Sequence, residues 1–96
     1  MDFKVFSSDQ ALSDLSEIVE YVARDNPQVA SRLGRSLIDH LKVPQAFPYV
    51  GELVPKRAGV RKLFHTPYKI YYRIHADRKV VEILHFWHAA REQPTI

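Results

Sequence analysis

The segment from Tyr68 to His75 alternates residue by residue between two kinds of side chain. Successive side chains of a β-strand project to opposite faces, so this period of two predicts a half-buried strand. One face can build a core while the other offers cations and rings to an acidic partner. The two faces would carry Tyr68, Ile70, Tyr72 and Ile74 on one side, and Lys69, Tyr71, Arg73 and His75 on the other.

The neighbouring residues predict two more strands, Val60 to Phe64 and Val80 to about Trp87. Thr66-Pro67 and the polar run Ala76-Asp77-Arg78-Lys79 supply the turns. If the second turn closes a tight hairpin with His75 opposite Val80, the register is fixed. The core-face pairs are then Ile74–Val81, Tyr72–Ile83, Ile70–His85 and Tyr68–Trp87. The pairs on the other face, which we expect to be an exposed surface with an ion pair, are Arg73–Glu82, Tyr71–Leu84 and Lys69–Phe86.

The first half of the chain predicts a short strand and two helices. Phe3 to Phe6 suits a strand, and Ser7 with Gln10 resembles a capping box. Asn26-Pro27 ends one helix and starts the next, because asparagine caps well and proline fits the first helical position. The expected apolar faces comprise Leu12, Leu15, Ile18, Val19 and Val22 in the first helix, and Ala30, Leu33, Gly34, Leu37, Ile38 and Leu41 in the second.

Four acidic residues of the first helix, Asp9, Asp14, Glu17 and Glu20, are expected on its exposed face. Gly34 indicates close approach of the two helices, which would form an αα-hairpin. Phe47 to Gly59 contains two prolines and two glycines and predicts a connecting loop. The fold class is therefore α+β, in the order β-α-α-β-β-β, with an antiparallel sheet and the helical hairpin packed on one face.

Composition restricts the class of protein. Ninety-six residues predict one domain, 1–96, and the absence of cysteine excludes disulfides and thiolate zinc sites. No signal peptide or membrane-spanning run is evident, so we expect a cytoplasmic protein without membrane contact. Residues 1–43 carry seven acids against five lysines and arginines, and residues 44–96 carry four against nine, which makes the second half electropositive.

No phosphate-binding glycine loop, nucleophile elbow or paired-carboxylate motif is present. His85 and His88 suggest a metal site, but residues three apart in a strand point to opposite faces, so we predict none. The basic set Arg61, Lys62, Lys69, Arg73, His88 and Arg91 has two interpretations. It is either a solvated sheet face or a surface that recognises anions, since guanidinium groups bind phosphate and carboxylate bidentately.

A family resemblance bears on this choice. The motifs Gly59-Val60-Arg61-Lys62-Leu63, Pro67-Tyr68-Lys69-Ile70-Tyr71-Tyr72-Arg73-Ile74, Val81-Glu82-Ile83-Leu84 and His88-Ala89-Ala90-Arg91 follow a helical hairpin. In this order and spacing they resemble the RelE/ParE superfamily of toxins from bacterial type II toxin–antitoxin systems. The resemblance implies a toxin that is neutralised by a cognate antitoxin, with DNA contact only indirectly through that antitoxin, and no cofactor.

The resemblance also implies a choice of target. RelE-type members cleave messenger RNA on the ribosome with several arginine and lysine groups and often a late tyrosine or histidine. Here Lys69 replaces a strand arginine, Ala89 replaces a basic residue, and the tail Glu92-Gln93-Pro94-Thr95-Ile96 lacks the tyrosine. The chain is more similar to the ParE branch, whose members inhibit DNA gyrase by direct protein contact without chemistry of their own.

The resemblance thus favours a ParE-like inhibitor with Arg61, Lys69, Arg73, His88 and Arg91 as target-binding residues. The alternative is an endoribonuclease acting on the ribosome and its mRNA, in which Lys69 and Arg91 hold the phosphate and His88 or His85 moves the proton. A non-toxic binding module of the same fold is a third possibility.

Overall fold

The computed structural model describes residues 3–96, which form a helical layer packed on a five-stranded sheet. The strands are β1 (Lys4–Ser7), β2 (Glu52–Leu53), β3 (Val60–His65), β4 (Tyr68–His75) and β5 (Val80–His88). The helices are α1 (Asp9–Ala23), α2 (Pro27–His40) and the short α3 (Lys42–Ala46), followed by a 3₁₀ turn over Pro48–Val50. Within these residues, no helix is long and apolar enough to cross a bilayer.

The fold class predicted from the sequence is confirmed, with two additions. The strands lie in the order β1-β5-β4-β3-β2, and neighbours from β5 to β2 run antiparallel, whereas β1 pairs with β5 in parallel. The segment expected to be a plain loop, Phe47 to Gly59, contains the 3₁₀ turn and the two-residue strand β2. So short a strand gives no recognisable periodicity in a sequence.

Local signals set the ends of both helices. The N-cap of α1 is Ser8 and not the expected Ser7, since Ser8 Oγ accepts a hydrogen bond from the Ala11 amide at 3.1 Å. Asn26 caps α2 as predicted, with Oδ1 accepting from the Val29 amide at 3.1 Å. Close approach of the two helices at Gly34 is also confirmed, because a Cβ there would lie 3.0 Å from Val19 Cγ2.

The buried faces of the helices differ in part from the expectation. Leu12 and Ile38 are each 53% exposed, although both belong to the predicted apolar faces. Instead, α1 buries Ala11 and Asp14, and α2 buries Ala30 and Leu37. Residues three or seven apart lie on one face of a helix, so each of these pairs marks the buried face of its helix. Leu12 and Ile38 lie at the side of that face and are turned toward solvent.

The β4–β5 hairpin follows the predicted register only as far as Tyr72 opposite Ile83. A β-bulge then adds one residue to β5, so that Tyr71 lies opposite His85. All later predicted pairs are wrong by one position, because an extra residue reverses the alternation. The observed pairs are Ile70–Phe86, Lys69–Trp87 and Tyr68–His88.

Both faces of the sheet are covered. The helix-side core is built on Leu37, Ile70, Tyr72, Ile83 and Phe86. On the far side, Val54, Val60 and Tyr71 form a second cluster, against which Leu84, Trp87 and Ile96 pack. Tyr71 is 1% exposed, so the expectation of a solvated face at Tyr71 and Leu84 is wrong. The C-terminal residue Ile96 thus helps to cover this face.

Tyr72 fixes the segment that joins the helices to the sheet. Its hydroxyl accepts from the Gly51 amide at 2.9 Å and donates to the Pro48 carbonyl at 2.7 Å. Only glycine fits at position 51, because a Cβ would lie 2.5 Å from Tyr72 Oη and 3.0 Å from the Lys62 carbonyl. Burial raises the pKa of the Tyr72 hydroxyl above its ordinary value, against smaller lowering effects of the Gly51 amide and the Arg61 charge.

We predict that Tyr72→Phe lowers the free energy of unfolding by about 1–3 kcal/mol, because it removes the partner of a buried amide and of a carbonyl. The measurement is equilibrium urea denaturation. Tyr49→Phe is the matched control, since the Tyr49 side chain is exposed and should change stability little. Equal denaturation midpoints for the two variants would contradict the assignment.

Candidate functional site

A cleft of about 410 Å³ opens between α1 and the ends of β4 and β5. Its walls combine carboxylates and apolar side chains of α1 with an aromatic floor and two basic side chains from the end of the sheet. The lining residues are Asp14, Glu17, Ile18, Tyr21, Val22, Tyr68, Phe86, His88 and Arg91. Two of the five residues predicted to bind a target, His88 and Arg91, therefore lie together in this cleft.

The β-bulge places the second half of β5 at this position. Beyond it, Phe86 enters the helix-side core and His88 comes opposite Tyr68. The ring of His88 meets that of Tyr68 edge-on, with 5.4 Å between ring centroids. A tight turn follows, in which the Arg91 amide donates to the His88 carbonyl at 3.0 Å and brings the Arg91 side chain back over the strand.

Arg91 is held by a cation–π contact. Its guanidinium carbon lies 3.9 Å from the centre of the Trp87 ring. The indole is itself fixed, because Nε1–H donates to the Glu92 carbonyl at 2.7 Å. Such a contact at an exposed site is worth about 0.5–1 kcal/mol and orients the arginine without using its hydrogen-bond donors. Arg91 therefore stays available to an anionic or aromatic partner.

The backbone sets the tautomer of His88. The Ala90 amide donates to His88 Nδ1 at 3.1 Å, so the neutral ring carries its proton on Nε2. Nε2, on the other side of the ring, is then a hydrogen-bond donor. In this arrangement His88 can give a hydrogen bond to an acceptor, but it is not set up to take a proton from a hydroxyl group.

Asp14 and His85 form a buried pair that the sequence interpretation missed. His85 Nδ1–H donates to Asp14 Oδ2 at 2.8 Å, and Gln10 donates to Asp14 Oδ1 at 3.0 Å. Asp14 is 7% exposed and was wrongly expected on the solvated face of α1. His85 also stacks edge-on against Trp87, with ring centroids 5.4 Å apart. The pair ties α1 to β5 directly beside the cleft, and no spacing rule links residues so far apart in sequence.

Lys69 lies close to this site on the far face of the sheet. It is opposite Trp87 in the neighbouring strand, and the Trp87 ring contacts the Arg91 guanidinium. Its ammonium group stands 5.6 Å from the centre of the Phe64 ring. Lys69, Trp87, Arg91 and His88 thus surround one end of the sheet, and we call these four residues the β5 rim.

Arg61 is engaged in contacts within its own chain. Its guanidinium donates to the Gly51 carbonyl at 2.7 Å and to the Tyr49 carbonyl at 3.1 Å. It also lies over the Tyr49 ring at 5.2 Å. Arg61 pairs with Tyr72 across β3 and β4, so both side chains hold the same segment in place.

Arg73 lies away from the β5 rim. Arg73 is four positions from Lys69 in β4, which corresponds to about 13 Å along a strand. Arg73 is opposite Glu82 as predicted, but the expected ion pair is wrong. The Glu82 carboxylate instead accepts from His75 Nε2–H at 2.9 Å, and no ion pair of Arg73 occurs among residues 3–96.

The predicted cations therefore do not converge on one point. His88 and Arg91 share a cleft, Lys69 lies beside it, and Arg61 and Arg73 are elsewhere. Carboxylates of Asp14 and Glu17 form the opposite wall, which makes the cleft mixed in charge and not uniformly positive. Over the described residues, no three His, Asp or Glu side chains group in a way that could hold a metal ion.

We predict that Asp14→Ala lowers the free energy of unfolding by about 1–3 kcal/mol, because it leaves the donors of His85 and Gln10 without an acceptor. Asp14→Asn should cost less, since its amide oxygen can still accept from His85. Thermal and urea unfolding monitor the effect, with Glu17→Ala as the exposed control on the same helix. An Asp14→Ala protein as stable as that control would disprove the role of the pair.

Comparison with known proteins identifies the family. A family model described as "ParE toxin of type II toxin-antitoxin system, parDE" matches residues 5–93. No match was found among curated protein sequences. Among solved structures, the chromosomal ParDE system of P. aeruginosa contains a chain with a TM-score of 0.73 and 23% identity, covering 90% of this chain and 95% of that one.

Two further structures share the fold. The RelBE2 toxin–antitoxin complex of Mycobacterium tuberculosis matches with a TM-score of 0.68 and 20% identity, covering 95% of both chains. The isolated E. coli RelE toxin matches with a TM-score of 0.59 and 16% identity, covering 95% of this chain and 88% of that one. These likenesses concern the fold, whereas the family match spans nearly the whole sequence. The chain belongs to the ParE toxin family of type II toxin–antitoxin systems.

Proposed function

We propose that this toxin inhibits DNA gyrase by direct protein contact, with the β5 rim as the centre of the contact surface. The observation that supports this best is the dispersal of the basic side chains. Of the five basic residues predicted to bind a target, only His88 and Arg91 line the cleft, and acidic residues stand opposite them. Such a surface suits a folded protein partner that offers both charges and apolar groups.

Two residues of the rim have the character of interface hot spots. Tryptophan and arginine are enriched among residues that dominate binding energy, and here Arg91 is stacked on Trp87 at 3.9 Å. Because the indole is fixed by its bond to the Glu92 carbonyl, little side-chain freedom is lost on binding. Lys69 and His88 extend the surface to either side with a cation and a hydrogen-bond donor.

The same geometry argues against cleavage of RNA. Phosphodiester cleavage needs several donors aimed at the charge that develops on the phosphate. Lys69 and His88 come from neighbouring strands but project to opposite faces, since Lys69 lies with Phe64 on the far side and His88 lines the cleft. His88 in its neutral form holds its proton on the outward nitrogen, which is unsuitable for a general base.

A supercoiling assay with purified toxin and gyrase tests the proposal. We expect inhibition by the wild type, and an increase of at least about tenfold in the toxin concentration needed for Arg91→Ala, since a hot-spot arginine contributes about 2 kcal/mol or more. Arg78→Ala is the matched control, because Arg78 lies exposed in the turn between β4 and β5. The Arg78→Ala variant loses the same charge away from the β5 rim and should inhibit gyrase as the wild type does.

Three outcomes would overturn the proposal. Unimpaired supercoiling at micromolar excess of wild-type toxin would exclude gyrase as the target. Codon-phased cleavage of messenger RNA on ribosomes, lost in Arg91→Ala, would instead establish the endoribonuclease alternative. Normal growth of cells expressing the wild-type chain alone would identify a non-toxic binding module.

We further propose that a cognate antitoxin covers the exposed apolar edge of the sheet around β2. This patch consists of Phe47, Tyr49, Val50, Leu53 and Phe64, all at least half exposed. Among the described residues, β2 pairs with Arg61 and Lys62, and the Val54 amide donates to the Val60 carbonyl, so Leu63–His65 offers the unpaired part of the β3 edge. A disordered antitoxin tail can fold there by adding a strand and burying its own apolar residues. DNA contact is then made by the antitoxin and not by this chain.

Hydrogen–deuterium exchange of the toxin with and without its antitoxin tests this placement. We expect slower exchange in β2 and in Leu63–His65 on complex formation, because their outward amides gain partners. The turn Ala76–Lys79 is the internal reference and should exchange equally in both samples. Protection confined to that turn or to the distal face of the helices would contradict the proposed edge.

A further inference from the structure

Two histidines meet where the end of α2 crosses the end of β3. His40 is the last residue of α2 and His65 is the last residue of β3. Their Nδ1 atoms lie 2.8 Å apart, and their rings are tilted by 49° with 5.0 Å between centroids. Both side chains are half-buried and remain accessible to solvent. Two ring nitrogens therefore converge on one point at the surface, outside the cleft and the β5 rim.

Ser36 determines how these rings are protonated. Its hydroxyl donates to the Leu33 carbonyl at 2.9 Å, as serine often does within a helix. The same oxygen lies 3.2 Å from His65 Nε2 and, having used its proton, accepts from Nε2–H. His65 therefore presents a bare Nδ1, which accepts from Nδ1–H of His40.

This arrangement matches the way proteins hold metal-binding histidines. A ligating imidazole donates its second ring N–H to an oxygen, which fixes the orientation and the tautomer of the ring. For His65 that oxygen is Ser36 Oγ. A neutral imidazole is the form that binds a metal.

We propose that His40 and His65 form a two-histidine site for a divalent transition metal such as Zn²⁺, Ni²⁺ or Cu²⁺. A tetrahedral ion with Zn–N bonds of 2.0–2.1 Å separates its ligand nitrogens by ~3.3 Å. To reach this geometry from the present Nδ1–Nδ1 separation of 2.8 Å, the two rings must part by about half an ångström and tilt until both nitrogens face the ion. On binding, His40 moves its ring proton from Nδ1 to Nε2, and water completes the coordination.

The donor set selects the class of metal. Imidazole nitrogens suit zinc, nickel and copper, whereas magnesium and calcium require oxygen ligands. With two protein ligands the site binds more weakly than a closed structural site, and it leaves coordination positions open. Bound metal joins the C-terminal end of α2 to the end of β3, two elements distant in sequence. It stabilises the fold by binding the native state alone.

Calorimetric titration of the full chain with Zn²⁺ tests the site, using protein without a polyhistidine tag. We expect one ion per chain with a dissociation constant on the order of micromolar, and a rise of several degrees in the unfolding temperature. His40→Gln and His65→Gln should each weaken binding by at least about tenfold. His75→Gln is the matched control, since it removes a histidine that pairs with a carboxylate elsewhere on the sheet and should bind as the wild type does.

A measurement on the unmodified chain guards against variants that fail to fold. Nitrogen NMR of the histidine rings should show Nδ1 of His40 and His65 shifting on addition of Zn²⁺ while His75, His85 and His88 remain unchanged. Absence of saturable binding would overturn the proposal. Zinc-induced shifts confined to the other three histidines, or binding lost in His75→Gln but kept in His40→Gln, would overturn it equally.

Discussion

One extra residue in β5 decides where the side chains at the end of this strand point. Side chains alternate along a strand, so the bulge after Ile83 reverses the direction of every residue that follows. Phe86 enters the core, Trp87 moves to the far face beside Lys69, and His88 turns into the cleft. The bulge lies beside the end of β1. Ser7, the last residue of β1, is opposite Ile83, and Ser8 Oγ donates to the Leu84 carbonyl at 3.3 Å. The departure of α1 from the sheet and the geometry of the site are thus coupled.

Sequence patterns predicted the features that depend on local chemistry. The alternation in β4, the cap at Asn26-Pro27 and the close approach at Gly34 each follow from the needs of a few neighbouring residues. The bulge, the Asp14–His85 pair and strand β2 could not be predicted, because they depend on contacts between distant segments. The same holds for the cover over Tyr71, which comes from the last residues of the chain.

The basic residues show why a count of charges is a poor guide to a binding surface. Five of them shared one prediction, yet their environments differ in kind. Arg61 is engaged by two backbone carbonyls, so removing it would disturb the fold before any recognition was tested. Arg91 rests on an aromatic ring and keeps its donors, which is the state expected of a residue reserved for a partner. A sequence alone does not distinguish an arginine that donates to carbonyl groups of its own chain from one whose donors remain available to a partner.

Trp87 has a practical consequence, since it is the only tryptophan in the chain. Its indole lies under the Arg91 guanidinium, next to the His85 ring and across from Lys69. Its emission therefore originates at the surface that we propose for target recognition. The chain carries a built-in optical probe, through which occupancy of that surface can be followed in real time without attaching a dye.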